Sequence, residues 1–92
     1  MLIRWTELAV SDLTQICDYL EADSSAPRAR NVAIAIYERI SRLVEFPQLG
    51  RIGRRSGTRE LVITGLPYVV VYRLSDSTVE ILRILHAARK WP

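Results

Sequence analysis

Two periodicities divide the chain. Between Ala9 and Val44 the apolar residues return every three or four positions; between Leu61 and Leu85 they come in short, β-branched runs. The first pattern predicts amphipathic helices and the second predicts strands. Ala9, Leu13, Ile16, Cys17 and Leu20 make one stripe, with Asp12, Gln15, Asp18 and Glu21 on other faces. Thr6 precedes the stripe as an N-cap, and Glu7 puts an acid in the first turn, where the helix dipole favours negative charge. This helix is expected to end near Asp23-Ser24-Ser25. A second starts at Ser25-Ala26-Pro27, where the missing proline N–H does no harm. It carries Ala29, Ala33, Ile36, Tyr37, Ile40, Leu43 and Val44 towards a stop at Pro47. Only a few residues join the two helices, so they form a hairpin.

Leu61 to Ile63, Tyr68 to Leu74 and Val79 to Leu85 are punctuated by Gly65-Leu66-Pro67 and Ser75-Asp76-Ser77. This reads as a three-stranded antiparallel meander. The apolar start, Leu2-Ile3-Arg4-Trp5, is expected to be tied into the sheet as a fourth strand. Each helical stripe needs an apolar surface to cover it, and the meander supplies one. The expected fold is therefore α+β: an N-terminal strand, then an antiparallel helical hairpin packed on a C-terminal three-stranded meander, in a single domain spanning 1–92. Gln48 to Gly57, with three glycines and three arginines, reads as a loop. It lacks the Lys-Ser/Thr ending of a phosphate-binding loop.

Alternation along the last strand puts Glu80, Leu82, Ile84 and His86 on one face, and Val79, Ile81, Arg83 and Leu85 on the other. Both faces are apolar in the middle. That fits a central strand covered on both sides, or one whose second face takes a partner. Arg83 is the charged exception on its face, as Arg73 is on the face of Val69 and Val71. With Arg59 and Arg89 they are expected to gather into one basic surface on the exposed side of the sheet. Beside them, the strand from Arg59 to Thr64 offers an edge for self-association or for an incoming segment.

Charge sharpens this picture. The net charge is +3, and 12 of the 13 basic residues are arginine, with Lys90 the exception. Arg51, Arg54, Arg55 and Arg59 fall in a stretch without an acid, whereas Glu7, Asp12, Asp18, Glu21 and Asp23 crowd the first helix. A positive surface towards the C-terminal half suits nucleic acid or an acidic protein segment, and arginine favours bidentate contact with phosphate or carboxylate. The alternative is a solvated basic loop without a specific partner. Cys17 stands alone at a core spacing, so a buried thiol is expected. One histidine and one cysteine, far apart, make no metal site, and no cofactor is expected. No charged-then-apolar leader and no apolar run of about 18 residues is present, which points to the cytoplasm.

The blocks "GTRELVITGLPYVVVYRL" and "VEILRILHAARKWP" closely resemble the ParE/RelE superfamily of bacterial toxins, also called plasmid stabilisation proteins. "IRWTELAVSDLTQICDYL" resembles the first strand and helix of that family, and "FPQLGRIGR" its loop after the second helix. The resemblance covers nearly the whole chain. It implies the toxin half of a type II toxin–antitoxin pair, neutralised by a small antitoxin with a DNA-binding N-terminal part and a flexible C-terminal segment. Acids in such a segment would suit Arg59, Arg73 and Arg83.

The superfamily contains two mechanisms. RelE-like members cut mRNA on the ribosome, and ParE-like members inhibit DNA gyrase. RNA cleavage by 2′-OH attack needs a proton acceptor, a stabiliser for the crowded phosphate and an acid for the leaving group. Aligned on the Y-x-x-V-Y core, two lysines of the RelE pattern fall on Glu60 and Val62, and an arginine falls on Val69. A later arginine has its counterpart in Arg89, and a terminal tyrosine has none up to Pro92. The resemblance is thus closer to ParE than to RelE. It implies a toxin that works by binding, probing its target with Arg83, His86, Arg89, Lys90 and Trp91. Two alternatives stay open: an mRNA endonuclease built from Arg59, Glu60, His86 and Arg89, and a non-toxic relative that keeps the fold as a binding module.

Overall fold

The computed structural model describes residues 1–87. Its elements run β1 (Leu2–Trp5), α1 (Glu7–Asp23), α2 (Ala26–Ser41), a 3₁₀ turn (Arg42–Val44), β2 (Arg51–Ile52), β3 (Arg59–Val62), β4 (Tyr68–Ser75) and β5 (Thr78–His86). The strands form one sheet in the order β1-β5-β4-β3-β2. β3, β4 and β5 pair antiparallel in sequence order, and β1 lies parallel to β5 on its far side. The loop expected from Gln48 to Gly57 departs from that reading: Arg51 and Ile52 pair with Glu60 and Arg59 as a fifth, two-residue strand.

Both helices begin where capping chemistry places them. The Thr6 hydroxyl accepts from Ala9 N–H at 3.1 Å, and the Ser25 hydroxyl accepts from Arg28 N–H at 3.1 Å. Each side chain thereby satisfies one of the orphan donors of a first turn. α2 tightens into the 3₁₀ turn before Pro47, rather than running up to it as α-helix. Gly65 sits at φ +82 in the turn between β3 and β4, a conformation that a side chain would strain. Asp76 takes the left-handed φ of +52 in the two-residue β4–β5 turn, where aspartate is among the few tolerated residues.

Helices cover one face of the sheet only. Ala9, Leu13, Val32, Ile36, Ile40 and Leu43 meet Leu61, Ile63, Val70, Tyr72, Val79, Ile81 and Ile84 in a single core. Val32 belongs to the buried stripe of α2, while Tyr37 and Val44, expected there, are exposed. Tyr37 lies at the rim and tilts onto Trp5, with ring centroids 5.2 Å apart. A buried hydroxyl network sits at the margin of the core. Tyr72 Oη donates to Pro47 O and accepts from Gly50 N–H, both at 2.8 Å. Only glycine fits at position 50, since a Cβ there would come within 2.7 Å of the Tyr72 ring.

The strict alternation expected for β5 breaks in its middle. Ile81 pairs with Tyr72 and Arg83 with Val71, which leaves Leu82 as the extra residue of a β-bulge. Residues beyond it therefore change face. Ile84 and His86 join Val79 and Ile81 on the helix side, opposite Val70 and Tyr68. Arg83 and Leu85 join Glu80 on the outer side. The physical reason lies in the spacing: Ile81 and Ile84 are three apart, and both reach the core only if one residue is looped out. Thr6 accommodates the bulge by donating from its N–H to Ile81 O and from its hydroxyl to Leu82 O.

Candidate functional site

The outer face of the sheet carries the charged side chains that the helices do not cover. Arg73 and Glu80 pair across β4 and β5, with Nη2 to Oε1 at 2.7 Å and Nε to the same oxygen at 3.1 Å. Glu60 lies buried on the same face. Arg51 Nη2 donates to its Oε1 and Arg54 N–H to its Oε2, each at 3.1 Å. Burial pushes the Glu60 carboxyl up, but these donors outweigh it and hold the group below the ordinary carboxylate range. Val71 and Leu85, beside it, are as buried as core residues although they face away from the helices. β5 is thus a central strand, and its outer side is buried at Leu85 and part-buried at Glu80 and Arg83.

Asp12 ties α1 to this face. Its Oδ2 accepts from Arg83 Nε at 2.8 Å and from Ile84 N–H at 2.9 Å, and its Oδ1 accepts from Arg83 Nη2 at 3.0 Å. β1 has ended at Trp5, so the carboxylate takes over satisfying the edge of β5 just past the bulge. The fork of bonds to Asp12 raises the pKa of the Arg83 guanidinium further.

The residues expected to share one basic surface are divided by the sheet. Arg73 and Arg83 lie on the outer face. Arg59 pairs with Tyr72 and so lies on the helix side, where its Nη1 donates to Gly50 O at 2.8 Å and to Gln48 O at 3.4 Å. The single-surface expectation therefore fails for Arg59. His86, expected on the face of Glu80, stands edge-on to Tyr68 on the helix side, with centroids 5.9 Å apart. Glu60 and His86 still border one small cleft, of about 30 Å³. Arg89, Lys90 and Trp91 lie outside the described residues.

Beside His86 a larger groove of about 350 Å³ opens between α1, the start of α2 and the ends of β4 and β5. Ile16, Tyr19, Leu20, Tyr68 and Ile84 line it, with Arg28 on the wall contributed by α2. Burial pushes the Tyr68 hydroxyl up from its ordinary value. The sequence reading missed both this groove and Asp12. Asp12 does sit at the spacing of the buried stripe, between Ala9 and Ile16, and an acid at such a position is the signal of a buried partner. Cys17 is partly buried, and burial followed by the charges of Asp18 and Glu21 pushes its thiol up, away from the reactive thiolate. Among the described residues no group of three or more His, Cys, Asp and Glu is placed to hold a metal ion. None of their helices is long and apolar enough to cross a membrane.

A chain with this sequence and this fold has clear counterparts. Residues 3–91 match the ParE toxin of the type II toxin–antitoxin system parDE. The chain belongs to this family. It is 44% identical to "Putative toxin Y4kP" of Sinorhizobium fredii over 90 residues, 98% of this chain and 92% of that protein. It is 40% identical to "Toxin RelE2" of Caulobacter vibrioides over 87 residues, 95% and 96% of the two chains. A chain of the chromosomal ParDE toxin–antitoxin system of P. aeruginosa superposes with a TM-score of 0.86 at 27% identity, covering 94% of this chain and 95% of its own.

Proposed function

We propose that this chain is a cytoplasmic growth-arresting toxin that acts by binding, with DNA gyrase as its target, and that a cognate antitoxin neutralises it. Glu60 carries the choice against RNA cleavage. It stands where the RelE pattern places a lysine, and both its oxygens are occupied by Arg51 and the Arg54 N–H. A buried carboxylate held ionised in this way neither grips a phosphate nor exchanges protons near neutral pH. The neighbouring positions Val62 and Val69 offer no polar side chain.

In this reading the target meets the end of β5, through Arg83 and His86, and the residues that follow, Arg89, Lys90 and Trp91. Arginine and tryptophan are residue types that anchor interfaces. The antitoxin meets the arginines. Arg73 is half exposed and can exchange Glu80 for a carboxylate of the antitoxin, whereas Arg59 is held by the Gly50 carbonyl and Arg83 by Asp12. The test is induction in bacteria with and without the antitoxin, reading the DNA-damage response and mRNA integrity in the same cells. The expected result is arrest with a damage response and intact messages, relieved by the antitoxin. Messages cut at ribosome-occupied codons would overturn the reading in favour of an endonuclease.

A further inference from the structure

The sheet ends unevenly on the β2 side. β2 covers only Arg59 and Glu60, and on that side β3 runs on to Val62 with no partner strand among the described residues. Backbone bonding fixes which residues face that open side. Ile63 N–H donates to Tyr68 O, so Arg59, Leu61 and Ile63 bond towards β4. Gly53 N–H donates to Thr58 O, and Glu60 pairs with Arg51, so Thr58, Glu60 and Val62 bond outwards. By that alternation the Val62 N–H and C=O point away from the sheet. The Val62 side chain is also 45% exposed.

Two arginines of α2 flank this edge. Arg39 Nη2 reaches Val62 O at only 3.5 Å, the limit of a hydrogen bond, and Arg39 Nε is buried without a partner. Arg39, Arg42, Glu38, Ile63 and Thr64 line a cleft of about 320 Å³ along the edge. Two guanidiniums against one carboxylate make the cleft positive. Just past α2, Phe46 and Leu49 expose apolar surface.

We infer that the β3 edge at Val62 receives an extended acidic segment of the antitoxin, which adds a short strand beside β2 and places a carboxylate on Arg39 and Arg42. Strand addition uses main-chain bonds for affinity and flanking side chains for selectivity. A second copy of this chain is a poor occupant, since pairing edge to edge brings the arginines of both copies to the same seam. The inference rests on the toxin–antitoxin reading and adds to it a place for the partner.

The experiment is amide hydrogen exchange, residue by residue, on the free chain and on its complex with the antitoxin encoded beside it. The Val62 amide is expected to exchange freely alone and to slow at least about 100-fold in the complex. Arg39→Glu, a change at the margin of the core, is expected to weaken the complex by about tenfold or more, with a reduced dependence on salt. A complex in which Val62 exchanges as fast as before, or which Arg39→Glu leaves unchanged, overturns the inference while the toxin–antitoxin reading stands. Protection of Val62 that grows with the concentration of the chain alone assigns the edge to a second copy and overturns it as well. If no complex forms, the toxin–antitoxin reading fails first.

Discussion

The two faces of the sheet are held by different forces. On the helix side Ile36, Ile40, Val70 and Ile81 fill a core without a charged group. On the outer side and at the β5 edge, three carboxylates each hold an arginine: Glu60 with Arg51, Glu80 with Arg73, and Asp12 with Arg83. Apolar contact is non-directional and scales with area, so the helix side supplies most of the stability. Charge-assisted bonds add less net energy but fix where groups sit. The difference teaches that substitutions on the first face should change how much protein is folded, while those on the second should change what the folded protein presents.

The largest expected effect tests the first half of that contrast. Ile36→Ala removes a fully buried side chain and should cost about 3–4 kcal/mol, measured by denaturant unfolding. In a domain this small that is a large share of the total stability. Asp12→Ala comes next, at about 2–3 kcal/mol, because it strands the Arg83 guanidinium and the Ile84 N–H together. A loss below about 1 kcal/mol would mean that water replaces the carboxylate without strain, and that the outer face is softer than its geometry implies.

Acid sharpens the comparison further. Glu60 is held below the ordinary glutamate value of 4.5, so its contribution is complete above that pH. The contribution is lost as pH falls through the lower, folded value. Glu60→Gln should therefore flatten the loss of stability below pH 4.5 in an acid titration followed by circular dichroism. The smallest effect belongs to Arg73→Ala. Arg73 is half exposed in its pair with Glu80, and its loss should cost about 0.5 kcal/mol or less. If Arg73→Ala nevertheless weakens antitoxin binding, the split between stability and presentation holds.

Local chemistry made much of the fold legible. The caps Thr6 and Ser25, the helical stripes and the turn signals around Gly65 and Asp76 act over a few residues, and each predicts its own element. What escaped is what depends on pairing. The bulge at Leu82 adds a single residue to a ladder whose partner strand alternates cleanly, and only the register with β4 exposes it. Every face assignment beyond it was inverted for that reason, including those of His86 and Ile84. Arg59 was misplaced because it sits opposite Tyr72, a partner that alternation within one strand cannot name. The ion pair of Asp12 with Arg83 spans 71 positions and leaves only a weak trace, an acid at a core spacing. The family resemblance, by contrast, was legible because its blocks span almost the entire chain.

The parallel pairing of β1 with β5 has a consequence for synthesis. β1 leaves the ribosome before β5, yet among the described residues its only sheet neighbour is β5, and Thr6 bonds to Leu82 across 76 positions. Until β5 emerges, Leu2 to Trp5 have no ladder to join and α1 has no central strand to cover. Contacts of such long range form late and slow the folding of a small domain. A nascent chain of this protein therefore cannot complete its sheet before β5 has emerged, and β1 and α1 wait on a strand that lies more than seventy positions downstream.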